Sequence, residues 1–348
     1  MCKPAVHRRA AGLLFFLMLV VGCSAEPLDG SPPTIPPATP AGAPPVTAAP
    51  AGVVQPLTGR GQAAIVDDRT AALAVLTAAD QPLAPASLAI FDSGLKPARV
   101  IELPGPVSAL TGDDAGNVYM ATRGGYFVVD LVAGRVTRVT VADAADTDFT
   151  AIARRADDAL VLGTADGAVY ALAAGNPEAG KAAVTNRTKI VGRVDALAAQ
   201  GNTVAVLDRA QTLVTTIEAD GTLGQALRAG QGATTIAADP QGRLLVADTR
   251  GGQLLVFGVD PLILRQAYPV RQAPYGLAGS RGLTWVTQTA ANMVIGYDLS
   301  TGIPVEKVRY PTVQQPNSLA VADASGTLYV VSGSGGGVQV IEHAAGPR

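Results

Sequence analysis

The sequence predicts an all-β fold, a seven-bladed β-propeller built from four-stranded antiparallel blades. Three observations lead there. From about Gly52 onward, apolar runs of four to seven residues alternate with Gly, Asp, Asn and Pro, and no helix-length amphipathic pattern appears. Glycine (39) and proline (25) are abundant while aromatic residues make up only 4%, a composition of many turns between short strands. One unit recurs along the chain: a short strand ending in Leu/Ile-Ala, a polar turn, and three further strands.

The unit is clearest in "TTIAADPQGRLLVADTRGGQLLVFGVD" from Thr234, "YGLAGSRGLTWVTQTAANMVIGYDLSTG" from Tyr275 and "NSLAVADASGTLYVVSGSGGGVQVIEH" from Asn317. Weaker copies begin at Val107, Thr150 and Val194, and the first at Ala63. The equivalent apolar residues of the first strands are Ile65, Leu110, Ile152, Leu197, Ile236, Leu277 and Leu319, spaced 39 to 45 residues apart. A period near 40–45 with four strands per unit marks one propeller blade. Stacking blades around an axis buries both faces of each sheet, which accounts for Val/Leu/Ile/Ala runs that do not alternate strictly.

After "GVQVIEHA", ending at Ala344, only four residues remain, so the last blade lacks a fourth strand. The stretch "GVVQPLT" (Gly52 to Thr58) precedes the first blade and is expected to fill that place, closing the ring and covering a sheet edge without a disulfide. Six blades plus an N-terminal extension is the alternative.

Residues 1–9, "MCKPAVHRR", are basic, and Ala10 to Val21 is apolar throughout. Twelve residues at ~1.5 Å rise fall short of a ~30 Å hydrocarbon core, so residues 1–22 read as a secretory signal and not as a membrane span. "VVGC" (Val20 to Cys23) resembles a bacterial lipobox, which implies cleavage after Gly22 and lipidation of Cys23. Several acyl chains hold a protein to a bilayer far better than one. The membrane is then a partner through the N-terminal lipid, and the localisation is the extracytoplasmic face of the cell membrane. Residues 26–58 hold ten prolines among Ala, Gly, Thr and Ser. Such a segment is expected to be extended polyproline II or disordered, so 23–51 reads as a lipidated cysteine and flexible linker and 52–348 as the propeller. Its threonines Thr34, Thr39 and Thr47 read as plain linker residues, with glycosylation as the alternative.

"DPQGRLLVADTRGGQLLVF" resembles an NHL-type repeat and "LTWVTQTAANMVIGYDLSTGIPVEKV" a YVTN-type repeat. With Cys23, the chain is similar to bacterial propeller lipoproteins of that class over residues 52–344. The resemblance implies fold more than function, because this fold hosts enzymes, ligand binders and scaffolds.

Composition narrows the chemistry. The formal charge is −2, and loss of Lys3, Arg8 and Arg9 with residues 1–22 takes it to −5. A mildly acidic chain without Lys/Arg clusters argues against nucleic acid as a partner. Beyond residue 23 there is one histidine, His343, and no cysteine, which excludes a Cys nucleophile, a disulfide framework and a Cys/His zinc site in the mature chain. Streptogramin-lyase-like propellers rely on histidines absent here, and with Trp285 alone the repeated Trp motifs of quinoprotein propellers are missing. Calcium-dependent lactonase propellers gather Glu, Asn and Asp around the channel. Asp195 and Asn317 are the candidates, too few for a hard cation that takes about six oxygens. No catalytic residue and no metal ligand is assigned, and calcium is the one cofactor left open.

The residues closing each second strand are Thr77, Thr122, Thr164, Asp208, Asp248, Gln288 and Ser332, all polar and all expected on one rim. Arg123, Arg209 and Arg250 lie beside them and would add anion-binding character. Two uses compete: a ligand-binding rim, or side chains that bond the backbone of neighbouring loops. The glycine run Gly333 to Gly337 precedes no helix and reads as a hairpin, not as a phosphate loop. The expected function is a monomeric, membrane-anchored module that binds a ligand, cell-wall component or partner protein. A metal-dependent hydrolase or lactonase and a structural scaffold of an envelope complex are the alternatives.

Overall fold

The computed structural model describes residues 34–346, apart from 79–80, 82–83, 93, 95–98 and 176. The expected signal sequence (residues 1–22) and Cys23 lie outside the described residues. Seven four-stranded antiparallel blades form a closed ring. Blade 1 comprises Arg60–Asp67, Ala72–Ala78, Ser87–Phe91 and Arg99–Glu102. Blade 2 comprises Ala109–Gly112, Asn117–Thr122, Gly125–Asp130 and Val136–Val141. Blade 3 comprises Phe149–Arg154, Leu160–Thr164, Ala168–Leu172 and Val184–Lys189. Blade 4 comprises Ala196–Gln200, Thr203–Asp208, Leu213–Ile217 and Leu223–Arg228. Blade 5 comprises Ala233–Asp239, Arg243–Asp248, Gln253–Val259 and Leu262–Pro269. Blade 6 comprises Pro274–Gly279, Thr284–Gln288, Met293–Asp298 and Val305–Pro311. Blade 7 comprises Pro316–Ala322, Thr327–Ser332 and Val338–Ile341, and takes Val53–Gln55 as its outer strand.

The seven aliphatic residues that set the sequence period all sit on inner strands. Each inner strand touches those of the adjacent blades, and blade 7 touches blade 1. Apolar side chains gather between blades, not within them. In blade 1, Ala74, Leu76, Leu88 and Ile90 face blade 2, while Leu73, Val75, Ala89 and Phe91 face blade 7. Successive residues of a strand point to opposite faces, and both faces are buried, so apolar residues occupy consecutive positions along such strands and do not alternate with polar ones. Among the described residues one such cluster occupies each interface around the ring.

Closure follows the expected pattern. Val53, Val54 and Gln55 pair antiparallel with Val340, Gln339 and Val338. Buried Gln339 reinforces the joint. Its Nε2 donates to the carbonyls of Ala51 and Pro311 at 2.8 and 2.9 Å, and its Oε1 accepts from the Val313 N–H. Blade 2 carries a fifth strand, Lys181–Ala182, contributed by blade 3 and paired in parallel to Val136–Val141. Among the described residues no helix is long and apolar enough to cross a membrane.

The expectation of a free linker is corrected for residues 34–51. The segment is extended but docked. It crosses the face on which the second strands end, called here the upper face, and reaches Pro311, whose carbonyl accepts from the Ala51 N–H. Its composition indeed provides no core of its own. The ring supplies the hydrogen bonds instead.

Candidate functional site

The polar ring is where the sequence places it, but it is turned inward. All seven residues are buried, and their side chains bond neighbouring backbone. Asp248 Oδ2 accepts from the Gln231 N–H at 2.9 Å, and Oδ1 accepts from Gly232 and Gly251 at 2.8 and 2.9 Å. Asp208 accepts from the N–H groups of Gly192, Arg193 and Gln211. Gln288 Nε2 donates to Arg271 O, Thr122 Oγ1 to Pro106 O, and Ser332 Oγ to Gln314 O. These five therefore hold the loop that enters from the preceding blade. Ser332 Oγ also accepts from Ser334 and Gly336, which fixes the glycine hairpin. Thr77 and Thr164 stay within their own hairpins, bonding Ser87 O and Ala168 O. The hydroxyl of Thr164 also bonds Asp166 and holds that carboxyl below its ordinary value. Of the two competing uses, the structure shows latching.

The arginines divide. Exposed Arg123 lies 3.5 Å from Asp146 on the outer rim. Arg209 and Arg250 reach the N-terminal segment, donating to Ala38 O and Pro36 O. Asp195 is likewise engaged: its Oδ2 accepts from the Arg209 N–H at 2.8 Å, and its Oδ1 lies 3.2 Å from Arg193 Nε. Asn317 Oδ1 accepts from Gln315 Nε2 at 3.0 Å. Among the described residues no group of three or more His, Cys, Asp or Glu side chains is placed to hold a metal ion. His343 is exposed in the turn after the third strand of blade 7.

The lower mouth of the channel, at the opposite ends of the inner strands, is an open depression of about 570 Å³. Inner strands of blades 1 to 5 line it, with Asp114, Arg154 and Arg155 at its edge. Arg154 pairs with Asp158, and Arg155 with Asp157 while donating to Ala219 O at 2.9 Å. Burial, and then the Asp68 carboxylate, push the Asp114 carboxyl above its ordinary value. Residue patterning did not reveal this mouth, because its charges sit at an inner-strand end (Arg154) and in adjoining turns (Asp114, Arg155) that look like ordinary hairpins.

No family model matches the sequence, and no curated protein matches it. Solved structures share the fold. A streptogramin B lyase is 11% identical, with a TM-score of 0.65 over 84% of this chain and 96% of that one. The virginiamycin B lyase of Staphylococcus aureus is 14% identical, with a TM-score of 0.62 over 81% and 97%. Hydrazine synthase of Kuenenia stuttgartiensis is 13% identical, with a TM-score of 0.65 over 84% and 98%. At such identities the likeness is one of architecture, and the class defined is the seven-bladed β-propeller.

Proposed function

We propose that this propeller is a lipid-anchored binding module on the extracytoplasmic face of the cell membrane, related to NHL/YVTN-type propeller lipoproteins and acting as a monomer. One observation supports this most. The chain between Cys23 and the ring is docked on the upper face from Thr34 onward. Only residues 24–33 separate the proposed lipid from that face, a reach of at most about 36 Å at ~3.6 Å per residue. The upper face then looks toward the bilayer, and the lower mouth, with Arg154 and Arg155, is presented outward to a partner protein or cell-wall polymer. The seven strand-end side chains of the rim bond backbone, whereas the lower mouth is an open depression edged by Asp114, Arg154 and Arg155, which favours it as the docking surface.

The anchor is tested by detergent-phase partition and intact mass. Acylated protein enters the detergent phase, and Cys23→Ala moves to the aqueous phase without acyl mass; retention of both properties in the variant overturns the reading. The surface is tested by co-sedimenting soluble Cys23→Ala protein with purified cell-wall sacculi. Arg154→Ala with Arg155→Ala is expected to lower the bound fraction severalfold, and an unchanged fraction excludes this mouth as the contact.

A further inference from the structure

The contacts of the docked segment have a distinctive chemistry. Thr34 to Pro44 reads "TIPPATPAGAP" and has no regular secondary structure. The ring addresses its backbone. Arg250 donates to Pro36 O at 2.6 Å and Arg209 to Ala38 O. Gln315 Nε2 donates to Ala41 O at 2.9 Å, while its Oε1 accepts from the Ala43 N–H at 2.9 Å. Asn292 Nδ2 donates to Pro44 O at 2.8 Å, and Gln314 Nε2 to Ala43 O at 3.4 Å. The Ile35 N–H donates to Ala210 O at 2.8 Å. Long polar side chains from blades 4 to 7 thus read the carbonyls of one extended strand.

Proline-rich chains suit this reading. They lack N–H groups, do not pair as sheet strands, and hold their carbonyls outward in a pre-extended form with little entropy left to lose. The surface also selects for small side chains. Ala38 is only 6% exposed and lies against Gly232, where an added Cβ would sit 3.1 Å from the Ala38 Cβ. A larger or charged residue at buried position 38 is expected to disrupt this contact.

We propose that the upper rim is a receptor for extended proline/alanine-rich peptide, filled in cis by residues 34–44, and that it takes such a segment from a second polypeptide once the resident one is displaced. This does not depend on acylation of Cys23. A tethered ligand competes at an effective concentration of about millimolar, so the resident segment sets the threshold that an incoming chain must overcome.

The test uses full-length protein and a fluorescent peptide of residues 34–44, read by anisotropy. Ala38→Asp ejects the resident segment and leaves the ring side chains intact. That variant is expected to bind the peptide at least tenfold more tightly than the unsubstituted chain. Adding Arg209→Ala and Gln315→Ala is expected to weaken that binding at least tenfold, and a peptide carrying Ala38→Asp is expected not to bind. Hydrogen exchange should show the Ile35 and Ala43 amides losing protection in Ala38→Asp while blade amides keep theirs. Ala38→Leu, a milder change, should give the same pattern if the aspartate variant folds poorly. Equal peptide affinity with and without the Ala38 substitution, unchanged protection at Ile35 and Ala43, or indifference to the arginine and glutamine changes would each overturn the proposal.

Discussion

Buried carboxylates at the strand ends act as latches, and their strength is set by the cost of stranding their partners. Truncation of Asp248 leaves the Gln231, Gly232 and Gly251 N–H groups without that acceptor. Each buried unsatisfied donor costs about 1–3 kcal/mol, less where water enters. Asp248→Ala is therefore expected to lower stability by roughly 3 kcal/mol, seen as a drop of several degrees in thermal unfolding, with Asp208→Ala similar. Two neighbouring carboxyls should respond oppositely to pH. Burial by itself raises the Asp113 pKa, but hydrogen bonds from the Asn117 side chain and from the Asn117 and Ala115 N–H groups outweigh it and hold the pKa below 3.8. Its contribution is full above pH 3.8 and is lost as pH falls toward the lower folded value. Asp114 is raised above 3.8 by burial and by Asp68, so its ionisation weakens the fold as pH rises through that range. Melting temperature against pH should show Asp113→Asn losing stability at neutral pH and Asp114→Asn gaining it. Matching profiles for the two variants would contradict both assignments.

Among the elements, the short outer strand of blade 7 has the largest consequence, since it hydrogen-bonds the start of the ring to its last blade. Two glycines let it approach. Gly52 has φ +71° and an added Cβ would lie 2.0 Å from Val340 O. Gly337 has φ +92° and an added Cβ would lie 2.4 Å from Gln55 O. Gly201 has φ +62° with open space around it. All three substitutions to alanine incur the left-handed penalty of about 1–2 kcal/mol. Only the first two also force strands apart, so equilibrium denaturation should rank Gly52→Ala and Gly337→Ala well below Gly201→Ala. Equal losses would mean that the strand contributes little to closure. The strand was legible in the sequence because a count of strands left one vacancy and "GVVQPLT" had no other partner. The docking of residues 34–44 was not legible. A Pro/Ala-rich segment carries no hydrophobic period, and the side chains that hold it, such as Arg209, Asn292 and Gln315, are scattered over three blades. The polar ring was legible as a pattern but ambiguous in use: Asp208 and Asp248 look alike on paper whether they face a ligand or a loop N–H. Only the burial of both separates the two.

For the whole molecule, the docked segment makes the ring's orientation a measurable quantity. If Cys23 is acylated as proposed, the docked segment leaves only residues 24–33 between lipid and ring, which biases the upper face toward the bilayer as long as the contacts to Arg209, Arg250 and Gln315 hold. Ser334 is exposed in the glycine hairpin of the upper face, and Ser325 is exposed in the first turn of the same blade on the lower face. A strand of six residues separates them, about 20 Å at ~3.4 Å per residue. A donor fluorophore attached at Ser334→Cys or Ser325→Cys, in protein reconstituted by its lipid into vesicles with acceptor-labelled headgroups, reports each distance. Transfer should be markedly stronger from position 334. Ala38→Asp, which frees the segment, lengthens the slack by roughly ten residues and should bring the two efficiencies together while leaving the protein membrane-bound. Equal transfer from both positions in the unsubstituted protein would show that the segment does not orient the ring. Loss of membrane association would instead place the fault with the anchor, so the two readings fail separately.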